Sequence, residues 1–401
     1  MKKRVAVVGV GMTKFTKHYD KDVKELSEEA VWKALQDANM SPKDIQVAYC
    51  GNAVPGVVSK QAGILGQIAL MPLGIVGIPV STISNACSSS ACAFREAYFA
   101  IGSGHYDVGL AMGVEKMVMR PEDATPANIA MASKFLSLGA DGELENVYGI
   151  TFPGFFAMAA QRHMHLYGTT REQMAKIAVK NHRNSVHNPY AQYPYEITVD
   201  DVLNSKMVSY PLTLYDCCPM TDGAAAVILA SEDVAKKYTD TPIYIAGTGQ
   251  GSGVYSEYAE KPETCMTTFQ PTIRAAREAF KEAKMEPKDI DVAEVHDCFT
   301  ISELIHYEDL GFCKKGEGGK LIDEGVTEIG GKIPVNTGGG LKARGHPVAA
   351  TGAAQVAEIV WQLRGDHVNQ VDGAEVGLAH TLGGLTHADV AVSVVLILTR
   401  K

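Results

Sequence analysis

The sequence predicts an α/β protein made of two similar halves, with a segment inserted in the first, and three observations lead there. First, Ala34-Leu-Gln-Asp-Ala-Asn-Met-Ser-Pro-Lys-Asp-Ile-Gln-Val-Ala48 and Ala279-Phe-Lys-Glu-Ala-Lys-Met-Glu-Pro-Lys-Asp-Ile-Asp-Val-Ala293 agree at nine of 15 positions. Second, each half opens alike, Val5-Ala-Val-Val-Gly9-Val-Gly11 against Ile243-Tyr-Ile-Ala-Gly247-Thr-Gly249. Third, the pattern changes between Met117 and Tyr210, where prolines and polar residues accumulate.

Each copy of the long repeat reads as a helix, a proline turn and a buried strand, the alternation from which α/β layers are built. The repeat distance is far too long for a solenoid. The expected division is a first half over residues 1–116 and 211–239, an insertion over 117–210, and a second half over 240–401. Within the insertion, Phe156–Tyr167 reads as a helix, and Thr169-Thr-Arg-Glu-Gln173 as the capped start of another. Beyond it, Gly223–Ala230 and Val390–Leu398 read as buried strands.

The chain has 401 residues, a net charge of −9 and eight cysteines. The acidic balance argues against nucleic acid as a partner. The opening Met1-Lys-Lys-Arg4 and its apolar run outline a signal peptide, but the run is short, lacks a small-residue cleavage site and meets Lys14, Lys17 and Asp20 at once. It is expected to be the first buried strand. No apolar stretch approaches the ~18 residues that span a bilayer. Scattered cysteines without a Cys-x-x-Cys pair fit reduced thiols in a cytoplasm and leave no structural zinc site or other metal centre. Gly9 and Gly11 lack the third glycine of a dinucleotide fingerprint. Asp216, Asp222 and Asp297 do not have calcium-loop spacing and read as solvated or capping carboxylates.

Cys87 is the leading candidate for chemistry. Val80, Thr82 and Ile83 before it are β-prone, and Phe94, Ala97, Tyr98 and Ile101 after it have helical spacing. A thiol where strand turns to helix faces free N–H groups and the positive end of the helix dipole, which lowers its pKa. The alternative is a small buried core thiol. Three later segments decide between them: Glu294-Val-His296-Asp297-Cys298-Phe299-Thr300, Asn336-Thr-Gly-Gly-Gly340-Leu-Lys-Ala-Arg-Gly345-His346-Pro347, and His380-Thr-Leu-Gly383-Gly384.

Together with the Cys87 segment, these resemble the thiolase family over nearly the whole chain, and in particular the branch related to sterol-carrier-protein thiolases, which carries His-Asp-Cys-Phe. The resemblance implies the duplicated αβαβα layered fold, with a loop domain covering the acyl-CoA. It implies cleavage of a 3-oxoacyl-CoA by coenzyme A, or condensation of two acyl-CoA, through an acyl-enzyme on Cys87. No permanently bound cofactor is expected, since coenzyme A enters as substrate. The resemblance also implies a homodimer or tetramer, with the Cys87 helices near the contact. Some relatives work with a small zinc-ribbon/OB-fold partner.

The chemistry needs a nucleophile, a base and oxyanion donors. Cys87 is the nucleophile, and His346, in a glycine-rich lead-in closed by Pro347, is its activating base. His296, at a strand end where α/β sheets open onto ligands, donates to the developing enolate oxygen. Cys298 is the acid/base thiol. The C-terminal segment departs from the Cys-x-Gly of degradative thiolases, which leaves His380 as an alternative proton carrier, and Gly383 matches the second oxyanion-hole position. Coenzyme A phosphates need cations, and Arg162, Lys176 and Arg183 in the insertion are the candidates, with Met158 and Phe155 lining the channel. Two rival readings are a ketoacyl-synthase-like condensing enzyme and a non-catalytic lipid or acyl-CoA carrier or assembly subunit.

Overall fold

The computed structural model describes residues 3–54, 56, 58–126, 139–253, 264–386 and 389–401. Its strands are β1 Val5–Met12, β2 Val47–Gly51, β3 Val80–Ile83, β4 Val108–Glu115, β5 Met207–Ser209, β6 Leu212–Thr213, β7 Gly223–Ser231, β8 Ile243–Ser252, β9 Val292–Glu294, β10 Val376–Thr386 and β11 Asp389–Thr399. The long helices are α1 Val23–Asp37, α2 Ser89–Gly102, α3 Phe152–Tyr167, α4 Arg171–Ser185, α5 Gln270–Ala283, α6 Thr300–Asp309 and α7 Thr351–Arg364.

The main sheet runs β3-β2-β4-β7-β1-β8-β11-β10-β9, and it reads alike outward from its centre. β1 and β8 meet antiparallel through Ala6–Tyr244 and Val7–Ile243. β7 and β11 flank them, then β4 and β10, then β2 and β9, with the same sequence of antiparallel and parallel pairings on both sides. Val335 bridges Ala293 in parallel, the place that β3 takes beside β2 in the first half. Both proline turns of the repeat are single 3₁₀ turns, Pro42–Asp44 and Pro287–Asp289.

The repeated glycines explain how each half closes. A Cβ on Gly9 or Gly11 would lie 2.4 Å from the carbonyl oxygen of Ala34 or Ala30, on α1. A Cβ on Gly247 or Gly249 would lie 2.2 or 1.9 Å from the carbonyl of Ala279 or Ala275, on α5. Helix and strand therefore touch backbone to backbone, and only glycine fits.

Alternation along the strands sorts the core into layers. Ala6 and Val8 face α1 through Leu26, Ala30 and Ala34. Val5, Val7 and Val10 face inward, onto Phe94 and Ala97 of α2 and Val356 and Ile359 of α7. Val394 and Leu396 close that inner layer from the second half, while Val395 and Ile397 face outward in the cluster that holds Ala275 and Ala279 of α5. The stack is thus α, β, α, β, α, as the resemblance implies. The inner helices touch where a Cβ on Gly352 would lie 2.8 Å from Ala91. Cys87 lies just before α2 and His346 just before α7, so the two residues come from corresponding places in the two halves.

The insertion packs on the opposite half from the one it interrupts. Phe155, Phe156 and Ile177 join the cluster of Phe269, Phe299 and Leu304. Its first helix starts at Phe152, earlier than the spacing of apolar residues predicts. There the Thr151 side chain accepts the Gly154 N–H, and Pro153 fixes the first turn. The second helix has a capping box between Thr170 and Gln173.

Candidate active site

The loop carrying Cys87 is held in an unusual conformation. Ala86 has φ +47°, rare for a residue with a Cβ. Ser89 stabilises the turn, accepting the Asn85 N–H at 2.9 Å and donating to the Ala86 carbonyl at 2.6 Å. From the other half, β10 presses on this loop. A Cβ on Gly383 would lie 2.9 Å from the Cys87 nitrogen and 3.0 Å from the Ser88 nitrogen. Cys87 itself is partly buried.

Three side chains converge there: the Cys87 sulfur and one ring nitrogen each from His296 and His346 all lie within 4.8 Å of one another. The His296 and His346 rings meet edge to face, centroids 5.0 Å apart. The tautomer of His346 follows from its hydrogen bonds. Thr351 Oγ1 donates to the Pro347 carbonyl at 3.2 Å, so it accepts from His346 Nδ1–H at 2.7 Å. The lone pair is therefore on Nε2. Burial, with the Arg344 guanidinium adding to it, pushes the His346 pKa down to about 3, which keeps the imidazole neutral. His296 is fully buried and likewise held neutral, and both its ring nitrogens are without a partner among the described residues.

The Cys87 thiol behaves contrary to the sequence expectation. Burial, reinforced by the Glu115 charge, pushes it up to about 12. The N–H groups of Cys87 and Gly384 pull the other way and are outweighed. Desolvation governs this thiol, and Cys87 lies outside the helix, whose N-cap is Ser88.

Buried carboxylates hold the loops around His346 in place. Asp297 accepts the backbone N–H of Leu341 at 2.7 Å and of Lys342 at 3.3 Å, and the Asn181 amide at 2.8 Å. Gly340 lies so close that a Cβ there would be 2.5 Å from that carboxylate. Arg344, buried, pairs with Glu294 at 3.2 Å and Glu358 at 3.1 Å. Glu115 accepts from Ala53, Val54, Ala349 and the Asn52 amide, tying the loops on either side of the site together. Asp216 and Asp222 also receive backbone N–H groups and are buried, so the three acids cap loops rather than meet solvent.

Cys298 and His380 are placed differently. Cys298 lines an apolar cavity of about 240 Å³ together with Cys87, His296, His346, Phe156 and Phe299. His380 does not line it. Its Nδ1 accepts the His296 backbone N–H at 3.4 Å, and its Nε2 bonds Ser393 at 3.0 Å. A second, more open cavity of about 460 Å³ also reaches Cys87, past Asn85, Gly383 and Thr386.

The residues expected at coenzyme A do not line the two cavities at Cys87. Phe155 turns into the core, packed on Phe156 and Phe269, because the helix face toward the cavity belongs to Phe156. Lys176 is ion-paired with Asp323 and Arg183 with Glu328, so these cations brace the insertion against the second half. Met158 is exposed, and neither it nor Arg162 lines the two cavities at Cys87. Sequence reasoning missed Gly384, whose N–H faces the sulfur where Gly383 was expected, and Thr351, which orients His346. It also missed the vicinal pair Cys217 and Cys218, which line the apolar cavity. Adjacency of two cysteines was the one available signal for the pair.

Comparison with known proteins agrees with this geometry. Residues 5–233 match the family described as "Thiolase, N-terminal domain", and residues 251–399 match "Thiolase C-terminal domain-like". The chain is 48% identical to an acetyl-CoA acetyltransferase of Methanothermobacter thermautotrophicus, over 95% of this chain and 96% of that one. It is 40% identical to sterol carrier protein 2 of Bos taurus, over 96% of this chain and 70% of that one. Among solved structures, the one described as "Ltp2-ChsH2(DUF35) aldolase" superposes with a TM-score of 0.81 at 27% identity, covering 99% of this chain and 98% of that one. The chain belongs to the thiolase family, related to the sterol-carrier-protein branch, and is a thiolase-type acyl-CoA acyltransferase.

Proposed function

We propose that the enzyme transfers an acyl group between coenzyme A thioesters through a Cys87 acyl-enzyme. The convergence of the Cys87 sulfur with nitrogens of His296 and His346 carries this reading. The Nε2 lone pair of His346 takes the thiol proton as the sulfur attacks the 3-oxo carbon. The C2–C3 bond breaks, and its electron pair stays on the acetyl-CoA fragment as an enolate. A ring N–H of His296 donates to the enolate oxygen, and the Cys298 thiol gives its proton to the carbon. Coenzyme A then returns a proton to Cys298 and attacks the acyl-cysteine. The departing Cys87 sulfur recovers its proton from His346. The N–H groups of Cys87 and Gly384 hold the thioester oxygen in both steps. Run backward, the same steps condense two acyl-CoA.

Acetyl-CoA and acetoacetyl-CoA are the simplest pair, in keeping with the archaeal relative. Incubation with acetyl-CoA alone should acetylate the Cys87 peptide, seen by mass spectrometry, and free coenzyme A should reverse it. An enzyme that turns over without acetylating Cys87 overturns the proposal. Such a result would favour aldol cleavage, the activity named for the structural neighbour, or a carrier-protein substrate.

Assembly is part of the proposal. β3 is the sheet edge, and Ile64, Met71 and Val76 near it in sequence are exposed, which supports a dimer through this side. A monomer by sedimentation at micromolar concentration would count against it. The DUF35 component in the description of the structural neighbour supports a small zinc-ribbon/OB-fold partner. A cytoplasmic setting is supported by eight unpaired cysteines, and no described helix is long and apolar enough to cross a membrane.

A further inference from the structure

Cys87, His296 and His346 are far apart in sequence, yet their donor atoms crowd into a space 4.8 Å across. The proposed reaction uses them in turn as nucleophile, oxyanion donor and base. One thiolate and two neutral imidazoles are also a donor set that zinc takes, at about 2.3 Å from sulfur and 2.0–2.1 Å from nitrogen. Tetrahedral placement at those lengths sets donor atoms roughly 3.3–3.7 Å apart. Side-chain movements on the order of 1 Å would close the three around an ion.

A second observation points to a ligand independently. His296 is completely buried, and neither ring nitrogen has a partner among the described residues. Buried imidazoles normally satisfy their nitrogens, and this one faces the apolar cavity shared with Cys87 and His346. His346 is prepared in the manner of a metal ligand, because its other nitrogen donates to Thr351 and fixes the ring. Among the described residues, neither cavity at Cys87 is lined by lysine or arginine. The cavity of about 240 Å³ leaves room for a water as fourth ligand.

We propose that Cys87, His296 and His346 form a reversible site for a soft divalent cation such as Zn²⁺, and that occupancy holds the enzyme inactive. On binding, the Cys87 S–H bond breaks, its proton leaves to solvent, and a sulfur–metal bond forms without any change of oxidation state. Affinity therefore rises with pH. Metal binding goes beyond the acyl-transfer reading and does not need it, whereas inhibition rests on that reading.

The test begins with chelator-stripped protein titrated with Zn²⁺ against a chromogenic chelator, and with Co²⁺ as a spectroscopic probe. One ion per chain is expected, with a thiolate-to-cobalt charge-transfer band. Cys87→Ala and His296→Ala should each weaken Zn²⁺ binding by more than the roughly 10–100-fold that loss of an outer-sphere partner brings. Wild-type protein alkylated at Cys87 should bind no better than Cys87→Ala, which guards against a variant that fails to fold. Zn²⁺ should abolish turnover, and EDTA should restore it. Undiminished Zn²⁺ affinity in both variants and in the alkylated protein, or a cobalt spectrum without a thiolate band, overturns the site. Tight three-ligand binding that leaves turnover intact would instead overturn the catalytic roles given to these residues.

Discussion

His346 Nδ1 donates to Thr351 Oγ1 at 2.7 Å, across one turn at the start of α7, and this single bond leaves the Nε2 lone pair free to act as base. Threonine can accept here because its own proton is spent on the Pro347 carbonyl. Thr351→Val keeps the shape and removes the acceptor. It should lower kcat about 10-fold or more, in line with loss of a buried hydrogen bond worth 1–2 kcal/mol, with the fold unchanged by circular dichroism. Thr351→Ser should restore most of the activity. Full activity in the valine variant would refute the tautomer argument.

A thiol pushed up to about 12 beside an imidazole pushed down to about 3 means that the resting pair is neutral, not an ion pair. Only a small thiolate fraction reacts with iodoacetamide, and that fraction grows as pH rises toward the thiol pKa. The inactivation rate should therefore climb about 10-fold per pH unit between roughly pH 6 and 9. Label should map to Cys87, and acetyl-CoA should protect it. A rate that is already flat at pH 6 would mean that the helix dipole prevails over burial after all.

Cys298 and His380 make opposite predictions. Cys298 lines the cavity, whereas both His380 nitrogens are engaged with His296, Ser393 and Thr272. Cys298→Ala should cut thiolysis by about 100-fold or more, within the range for general acid–base groups. His380→Gln should lower the melting temperature and leave the pH profile of turnover in place. A shifted pH profile in the His380 variant would reassign the proton carrier.

Glycine 383 is required by contact rather than by a positive φ. Gly383→Ala places a Cβ 2.9 Å from the Cys87 nitrogen, a distance real Cβ atoms do not adopt. The Cys87 loop must move, and a displacement of about 1 Å at a reacting group costs on the order of 100-fold in rate. Thiolysis by the alanine variant, measured beside its melting curve, checks this. Wild-type turnover would show that the loop has slack.

Asp297 titrates against the glycine-rich loop. Burial, with Glu303 beside it, raises its pKa to about 6. The folded value lies above the unfolded one, so the stability linked to this carboxyl is fully present below about pH 4 and declines as pH rises through 6. Asp297→Asn should flatten that decline in a melting-temperature series over pH 4 to 8. It should also lower kcat at every pH, because an amide cannot accept from Leu341, Lys342 and Asn181 together. An unchanged slope would remove Asp297 from the pH response.

The repeat of Ala34–Ala48 in Ala279–Ala293 and the paired glycines of β1 and β8 were enough to determine two alike α/β halves. Local pattern encodes local structure and close helix–strand contact, and both are written within a few residues. The four motif segments singled out Cys87, His296, Cys298 and His346, which the fold brings to one cavity. Only the folded chain decided what depends on surroundings brought together from distant positions. Burial and Glu115 reversed the expected thiol pKa, Gly384 displaced Gly383 beside the sulfur, and ion pairs with Asp323 and Glu328 engaged the cations expected at coenzyme A. Phe155 turned to the core and left Phe156 at the cavity. Desolvation and ion pairing arise from the packing of distant segments, which no local stretch of residues specifies.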